Sequence, residues 1–157
     1  MSKKEKPNIP PYLYENEIGR NFAMIPPDLF ESEKFQGLTH AGRLFYILLA
    51  THTATEIQKS CLYETLKEYN EIMNLGISND DIKYMTWGNK RTHQFSRLFV
   101  IPANHLHMYG YTESYAYKLK RELITKGFIK AKYGGKGAST AWSKNVTVYE
   151  FIDDWKK

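Results

Sequence analysis

A chain of 157 residues with 42% hydrophobic content is long enough to bury a core, and its single cysteine, Cys61, excludes an intrachain disulfide. The lone thiol suits a reducing cytoplasm, and the longest apolar run, residues 44–50, falls far short of a membrane span. The net charge is +5 and is unevenly placed: residues 1–101 hold 12 basic and 12 acidic side chains, whereas 102–157 hold 10 against 5.

The N-terminus carries Lys3, Lys4 and Lys6, followed by Pro7, Asn8, Pro10 and Pro11 instead of an apolar stretch. No secretory leader is expected, and a cytoplasmic location follows. Residues 1–20 read as a flexible arm and 21–157 as one domain. Order is expected to begin near Phe22-Ala23-Met24-Ile25, with a brief helical turn at Asp28-Leu29-Phe30 and with Phe35 and Leu38 packed beneath it. Thr39 is a suitable N-cap for a helix over 40–52, whose apolar positions surround more than one face and mark it as the buried centre.

Residues 54–75 form a second amphipathic helical stretch, with Ile57, Cys61, Leu62, Leu66, Tyr69, Ile72, Met73 and Leu75 at three- and four-residue steps and Gly76 as a stop. The body of the domain is its default packing partner; a homodimer through this helix is the alternative. Asn79-Asp80-Asp81 can cap a short helix through Met85, and Trp87-Gly88-Asn89-Lys90 reads as a turn.

From Arg97 the pattern sharpens. Leu98-Phe99-Val100-Ile101 is an apolar strand, and Pro102 opens a short helix, about 103–109, at its N1 position. Gly110 permits a tight turn. Thr112 caps a longer helix, about 113–126, with Ala116, Leu119 and Leu123 on one face, and Gly127 ends it. Residues 128–133 alternate at period two, 134–140 form a glycine-rich basic loop, and 146–151 alternate again. Short helix, turn, long helix, strand, basic loop and strand is the order of a winged helix-turn-helix. The expected fold is therefore mainly α with a small β-wing (α+β), carrying an extra helical insert at about 54–97 ahead of the helix-turn-helix and wing at about 98–151.

The charge falls on that unit. Within 118–144 stand Lys118, Lys120, Arg121, Lys126, Lys130, Lys132, Lys136 and Lys144, with Glu122 the sole acid. A field of that sign attracts phosphate. An α-helix about 12 Å across fits the major groove, so Thr112, Ser114, Tyr115, Tyr117, Lys118 and Arg121 are the expected DNA-contacting residues on it. Lys118 and Arg121 suit guanine, whereas Tyr115 and Tyr117 suit phosphate or a thymine methyl. Lys136 would stand on the wing, with Lys130, Lys132 and Lys144 on the phosphate backbone. Tyr111 is expected in the core, which is also the alternative for Tyr115 and Tyr117.

Three runs of this sequence resemble the N-terminal domain of RepA-type replication initiators from plasmids of Gram-positive bacteria: Phe22-Ala23-Met24-Ile25-Pro26-Pro27-Asp28-Leu29-Phe30, Phe35-Gln36-Gly37-Leu38-Thr39, and Ala41 through Leu49. Arg121-Glu122-Leu123-Ile124-Thr125-Lys126-Gly127-Phe128-Ile129 resembles the end of the recognition helix in that family. Related winged-helix proteins occur on conjugative elements and phages. The resemblance implies duplex DNA binding at a replication or transfer origin or an operator. The chain departs from the family in its long insert and in ending soon after the second wing strand, without an initiator's separate C-terminal domain.

Enzyme chemistry is not expected. His105 and His107 are two apart, on opposite sides of a helix or the same side of a strand, and one cysteine with no nearby acidic cluster gives no zinc set. Gly134-Gly135-Lys136-Gly137 lacks phosphate-loop spacing and leads to a strand. Asp80-Asp81 and Asp153-Asp154 read as caps or solvated tails. No cofactor, metal, membrane or small-molecule substrate is expected. The alternative function is a winged-helix protein-interaction module, motivated by the 54–75 stripe and the 15% aromatic content.

Overall fold

The computed structural model describes residues 25–88, 96–134 and 146–157. It is mainly helical, with a small three-stranded antiparallel sheet. In chain order the elements are α1 (Pro27–Glu31), α2 (Glu33–Gln36), α3 (His40–Thr53), α4 (Glu56–Ile72), α5 (Asn79–Trp87), β1 (Leu98–Phe99), α6 (Ala103–Met108), α7 (Glu113–Thr125), β2 (Ile129–Tyr133), β3 (Val148–Phe151) and a closing 3-10 turn (Asp154–Lys156).

Local chemistry sets the helix ends. Thr39, Thr55, Ser78 and Thr112 each accept a backbone N–H from the first turn of α3, α4, α5 and α7, satisfying donors that the helix itself leaves open. The expected cap of α5 at Asn79 moves back one residue, to Ser78. Helix α4 starts at Glu56 instead of 54, because Ala54 is the C-cap of α3 and Thr55 the N-cap of α4. Pro102 sits at the N-cap of α6 with extended ψ, not at N1. Gly110 and Gly127 take positive φ where α6 and α7 were expected to stop.

The sheet order is β1-β3-β2, with Phe99 opposite Tyr149 and Ile129 opposite Phe151. Both faces of this sheet are covered. The run 98–101 shows how: Phe99 and Ile101 enter a core with Phe35, Phe45, Leu49, Leu106, Ala116, Leu123 and Phe128, whereas Leu98 and Val100 enter a second core with Leu62, Leu66, Tyr69, Ile82 and Val148. Alternate residues of a strand point to opposite faces, so an unbroken apolar run is what a strand between two cores requires. The first core joins the sheet to α3, α6 and α7, and the second joins its back to α4 and α5.

This second core answers how the 54–75 stripe is covered. Gln58, Leu62, Thr65, Leu66 and Tyr69, at steps of three and four, are all buried within the chain. The default packing is the one observed, and this face of α4 is not free for a second copy. Cys61 packs at the edge of the same core, where burial pushes its thiol pKa up.

Strand β2 departs from simple alternation. Ala131 faces Tyr149 and Tyr133 faces Val148, so Lys132 is an extra residue, a β-bulge. The bulge reverses the parity of the strand and turns Tyr133 toward the α4 side, where it stacks on Tyr69 at 5.8 Å. Burial along 128–133 does not follow the expected period of two: Phe128 and Ile129 are both buried, and Lys130, Ala131 and Lys132 are all exposed.

The C-terminus is tied to the start of β1. Arg97 donates through Nε to the Phe151 carbonyl (2.8 Å) and through both terminal nitrogens to Asp153 (3.0 and 3.2 Å). The guanidinium holds the Asp153 carboxyl below the usual carboxylate range.

Candidate nucleic-acid interface

Helix α7 separates its side chains cleanly. Ala116, Leu119 and Leu123 are buried against the first core. Opposite them, Ser114, Tyr117, Lys118 and Arg121 recur at i, i+3, i+4 and i+7, and all four are exposed. Thr125 continues the same stripe by one more turn. Nothing among the described residues covers this face. Tyr117 is 54% exposed and Tyr115 45%, so neither packs in the core. Tyr111 is half-buried and meets the Phe45 ring at 5.3 Å, as expected of it, while its other neighbour is Tyr115, stacked at 5.9 Å.

The polar groups along the stripe are pre-aligned. Arg121 donates through Nη1 to the Tyr117 hydroxyl one turn earlier (3.3 Å), and its guanidinium lies over that ring, 5.8 Å from the centroid. Such a contact orients the fork of donors without neutralising its charge. Thr112 is exposed, but its hydroxyl oxygen is occupied by the Tyr115 N–H at 3.2 Å. Its first duty is capping.

The charge of the cluster is redistributed by tertiary contacts. Lys120 is turned inward over the Tyr149 ring, 5.1 Å away, and burial lowers its pKa. Lys130 is exposed but shares its charge with Glu150 across the β2–β3 pair (3.4 Å). Lys132, at the bulge, is exposed with its ammonium 5.9 Å from the Tyr133 ring centroid. Lys136 and Lys144 lie outside the described residues.

Glu122, the one acid of the cluster, belongs to another job. Its carboxylate accepts the Thr39 hydroxyl (2.7 Å) and the Thr39 backbone N–H (3.1 Å), at the N-terminus of α3. The negative charge is thus held at the positive end of another helix. The approach is close: a Cβ at Gly42 would meet the Glu122 carboxylate and push it off its place at Thr39. The sequence signal for this contact is faint, a glycine three residues after a capping threonine in an otherwise bulky helix.

A second missed constellation lies between α3 and α6. His52 and His105 are buried with their Nε2 and Nδ1 atoms 3.0 Å apart, and His52 Nδ1 is 2.7 Å from the Tyr109 hydroxyl. Burial, with His105 beside it, pushes the His52 pKa down to about 4, and burial lowers that of His105 as well. Both rings are neutral at neutral pH and serve packing. His107 faces solvent on the opposite side of α6, as its spacing required.

Comparison of the chain with protein-family models, curated proteins and solved structures finds no match. Among the described residues, no helix is long and apolar enough to cross a membrane.

The exposed stripe of α7 can do one thing well chemically. It offers a guanidinium fork, an ammonium and two hydroxyls on a rod of about 12 Å, the width of a major groove. An arginine fork matches the O6 and N7 acceptors of guanine, and a lysine and the hydroxyls match phosphate oxygens.

Proposed function

We propose that the chain is a winged helix-turn-helix protein that binds duplex DNA sequence-specifically, with α7 as its recognition helix. The observation that carries this reading is the open stripe Ser114, Tyr117, Lys118 and Arg121 opposite the buried Ala116, Leu119 and Leu123. The topology supports it: α3, β1, α6, α7, β2 and β3 follow one another, with sheet order β1-β3-β2, in the order of elements of a winged helix-turn-helix. In this reading α6 and α7 are the helix-turn-helix pair, and the tyrosines contact phosphate or a thymine methyl. Lys132, Lys136 and Lys144 add backbone contacts, and Lys130 contributes less because Glu150 shares its charge. The resemblance to plasmid initiators supports a role on a mobile genetic element, at a replication or transfer origin or an operator.

Enrichment of duplexes from a random pool, repeated at two salt concentrations, tests the proposal. The expected outcome is a defined site bound less tightly at the higher salt, with the preference at one position lost in Arg121→Ala. Binding that ignores both salt and Arg121 would refute it.

A second reading, a protein-interaction module, is favoured by the apolar side chains exposed on the insert: Ile57, Ile72, Met73, Tyr84 and Trp87. The insert carries no net charge, with Glu56, Glu64, Glu68, Glu71, Asp80 and Asp81 matched by Lys59, Lys67, Lys83, Lys90, Arg91 and Arg97. A homodimer through α4 would use its outward residues, since the inner stripe is occupied.

A further inference from the structure

Glu122 stands next to Arg121 and about 40° round α7 from Lys118, at the edge of the exposed stripe. Its carboxylate turns away from that stripe to α3, where Oε1 accepts the Thr39 hydroxyl (2.7 Å) and Oε2 the Thr39 N–H (3.1 Å). Thr39 Oγ1 in turn accepts the Gly42 N–H (2.9 Å), so one threonine both caps α3 and holds α7. Hydrogen bonds to a carboxylate are stronger than those between neutral groups, and the positive end of a helix adds to them.

Rotation of α7 about its own axis is what this contact fixes. The helix rests on the first core through Ala116, Leu119 and Leu123. Apolar contact is non-directional, and Ala116 presents only a methyl group, so this seat sets the depth of the helix better than its roll. Near the start of α7 the link to α3 is also made of rings, Tyr115 stacked on Tyr111 and Tyr111 against Phe45. A carboxylate bonded to two donors of one residue is directional. Side-chain tips lie about 6 Å from a helix axis, so a roll of about 10° carries the heads of Lys118 and Arg121 about 1 Å, past the roughly 0.5 Å within which a recognition group has to be held. Gly42 leaves the carboxylate its room, since a Cβ there would meet it.

We propose that Glu122 is a positioning residue for base reading: bonded to Thr39, it fixes the roll of α7 and so aims the Arg121 fork at a guanine edge. This rests on the reading of the chain as a duplex-binding protein. It gives α3 a part in sequence preference, through a side chain that points away from the DNA.

The test is a mutant cycle on the full chain, with three probes: the duplex enriched from a random pool, its single-base variants and random-sequence duplex. In wild type, Arg121→Ala is expected to reduce the preference at one base pair about tenfold. Glu122→Gln keeps the size of the side chain and removes its charge, and Gly42→Ala displaces the carboxylate with Glu122 itself intact. Each is expected to reduce the preference at that same base pair about tenfold, with Arg121→Ala then removing nothing further. Gly42→Ala should do so without a fall in melting temperature, because alanine favours helix over glycine. A merely structural Glu122 would lower the melting temperature and leave the Arg121 increment unchanged in both variants, which overturns the proposal. Lys118→Ala, measured on random-sequence duplex, separates the two failures. If it lowers the wild-type salt slope by about 1 while the Arg121 increment survives in both variants, only the positioning role falls. If wild type prefers no duplex over random sequence, the sequence-specific reading falls and the positioning role with it.

Discussion

Helices α4 and α7 are both amphipathic, and they use their polar residues in opposite ways. The buried stripe of α7 is wholly apolar, and most of its polar groups point outward: Arg121 meets Tyr117 on the same face, Thr112 caps the helix, Glu122 serves α3 and Lys120 lies over Tyr149. The buried stripe of α4 includes Gln58, Thr65 and Tyr69, each with a hydrogen-bond partner inside the protein. Polar groups that are buried must be paired and therefore fix geometry, whereas exposed ones retain their bonding capacity for a partner. The comparison teaches that the stripe to read for function is the one the fold does not consume. It also separates charge that is available from charge that is spent: Lys118 and Arg121 are open, Lys120 lies over Tyr149, Lys130 meets Glu150 and Glu122 serves α3.

The largest expected effects test whether the two regions are one cooperative body. Leu66→Ala in the α4 core and Leu123→Ala in the α7 core each empty a fully or nearly fully buried site and should cost about 2–5 kcal/mol. Urea unfolding of either variant should show a single transition at reduced midpoint. Two transitions in Leu66→Ala would mean that the insert melts separately and the shared sheet does not couple the cores.

Next in size is acid sensitivity. His52 has a folded pKa near 4 against about 6.5 in the unfolded chain, so the unfolded state binds the proton first as pH falls. Stability from the neutral ring is complete above pH 6.5 and is lost progressively toward pH 4, by about 3 kcal/mol at most. His105 shifts in the same direction and adds to the slope. Denaturation midpoints measured between pH 7 and pH 4 should fall in wild type and flatten in His52→Gln. An equally steep fall in that variant would place the acid sensitivity elsewhere.

On the α7 face the expected losses are in binding alone. Arg121→Ala should weaken duplex binding by about 1–3 kcal/mol and relax preference at one base position, whereas Lys118→Ala should lower the salt slope by about 1 with little change in preference. Neither should move stability by more than about 0.5 kcal/mol, since both side chains are exposed. A large loss of stability in Arg121→Ala would show that the Tyr117 contact is structural and blur the distinction between the helices. Smallest of all, Lys130→Gln should change stability by less than about 1 kcal/mol, because its pair with Glu150 is half-exposed, and should change duplex affinity less than Lys132→Gln.

Much of the architecture was legible from local signals. Thr39 and Thr112 stand where capping side chains are needed, Gly110 and Gly127 where φ turns positive, and Ala116, Leu119 and Leu123 at helical spacing. The period of apolar residues and the chemistry of caps act over one or two turns, so a sequence expresses them directly. The stripe Ser114, Tyr117, Lys118 and Arg121 follows from the same period, which is why the candidate face was legible too.

The rest depended on which elements meet. That Glu122 would be withdrawn from the surface by Thr39, 83 residues away, that His52 would find His105, and that Tyr69 would clamp the ends of β2 and β3 are contacts at long sequence separation. The bulge at Lys132 likewise has its reason across the sheet, not within its strand. Sequence alone determined the periodic elements, their ends and the basic character of the C-terminal third. Tertiary packing decided which charges remain open, because a side chain's bonding is set by its nearest neighbours in space, and those come from distant parts of the chain.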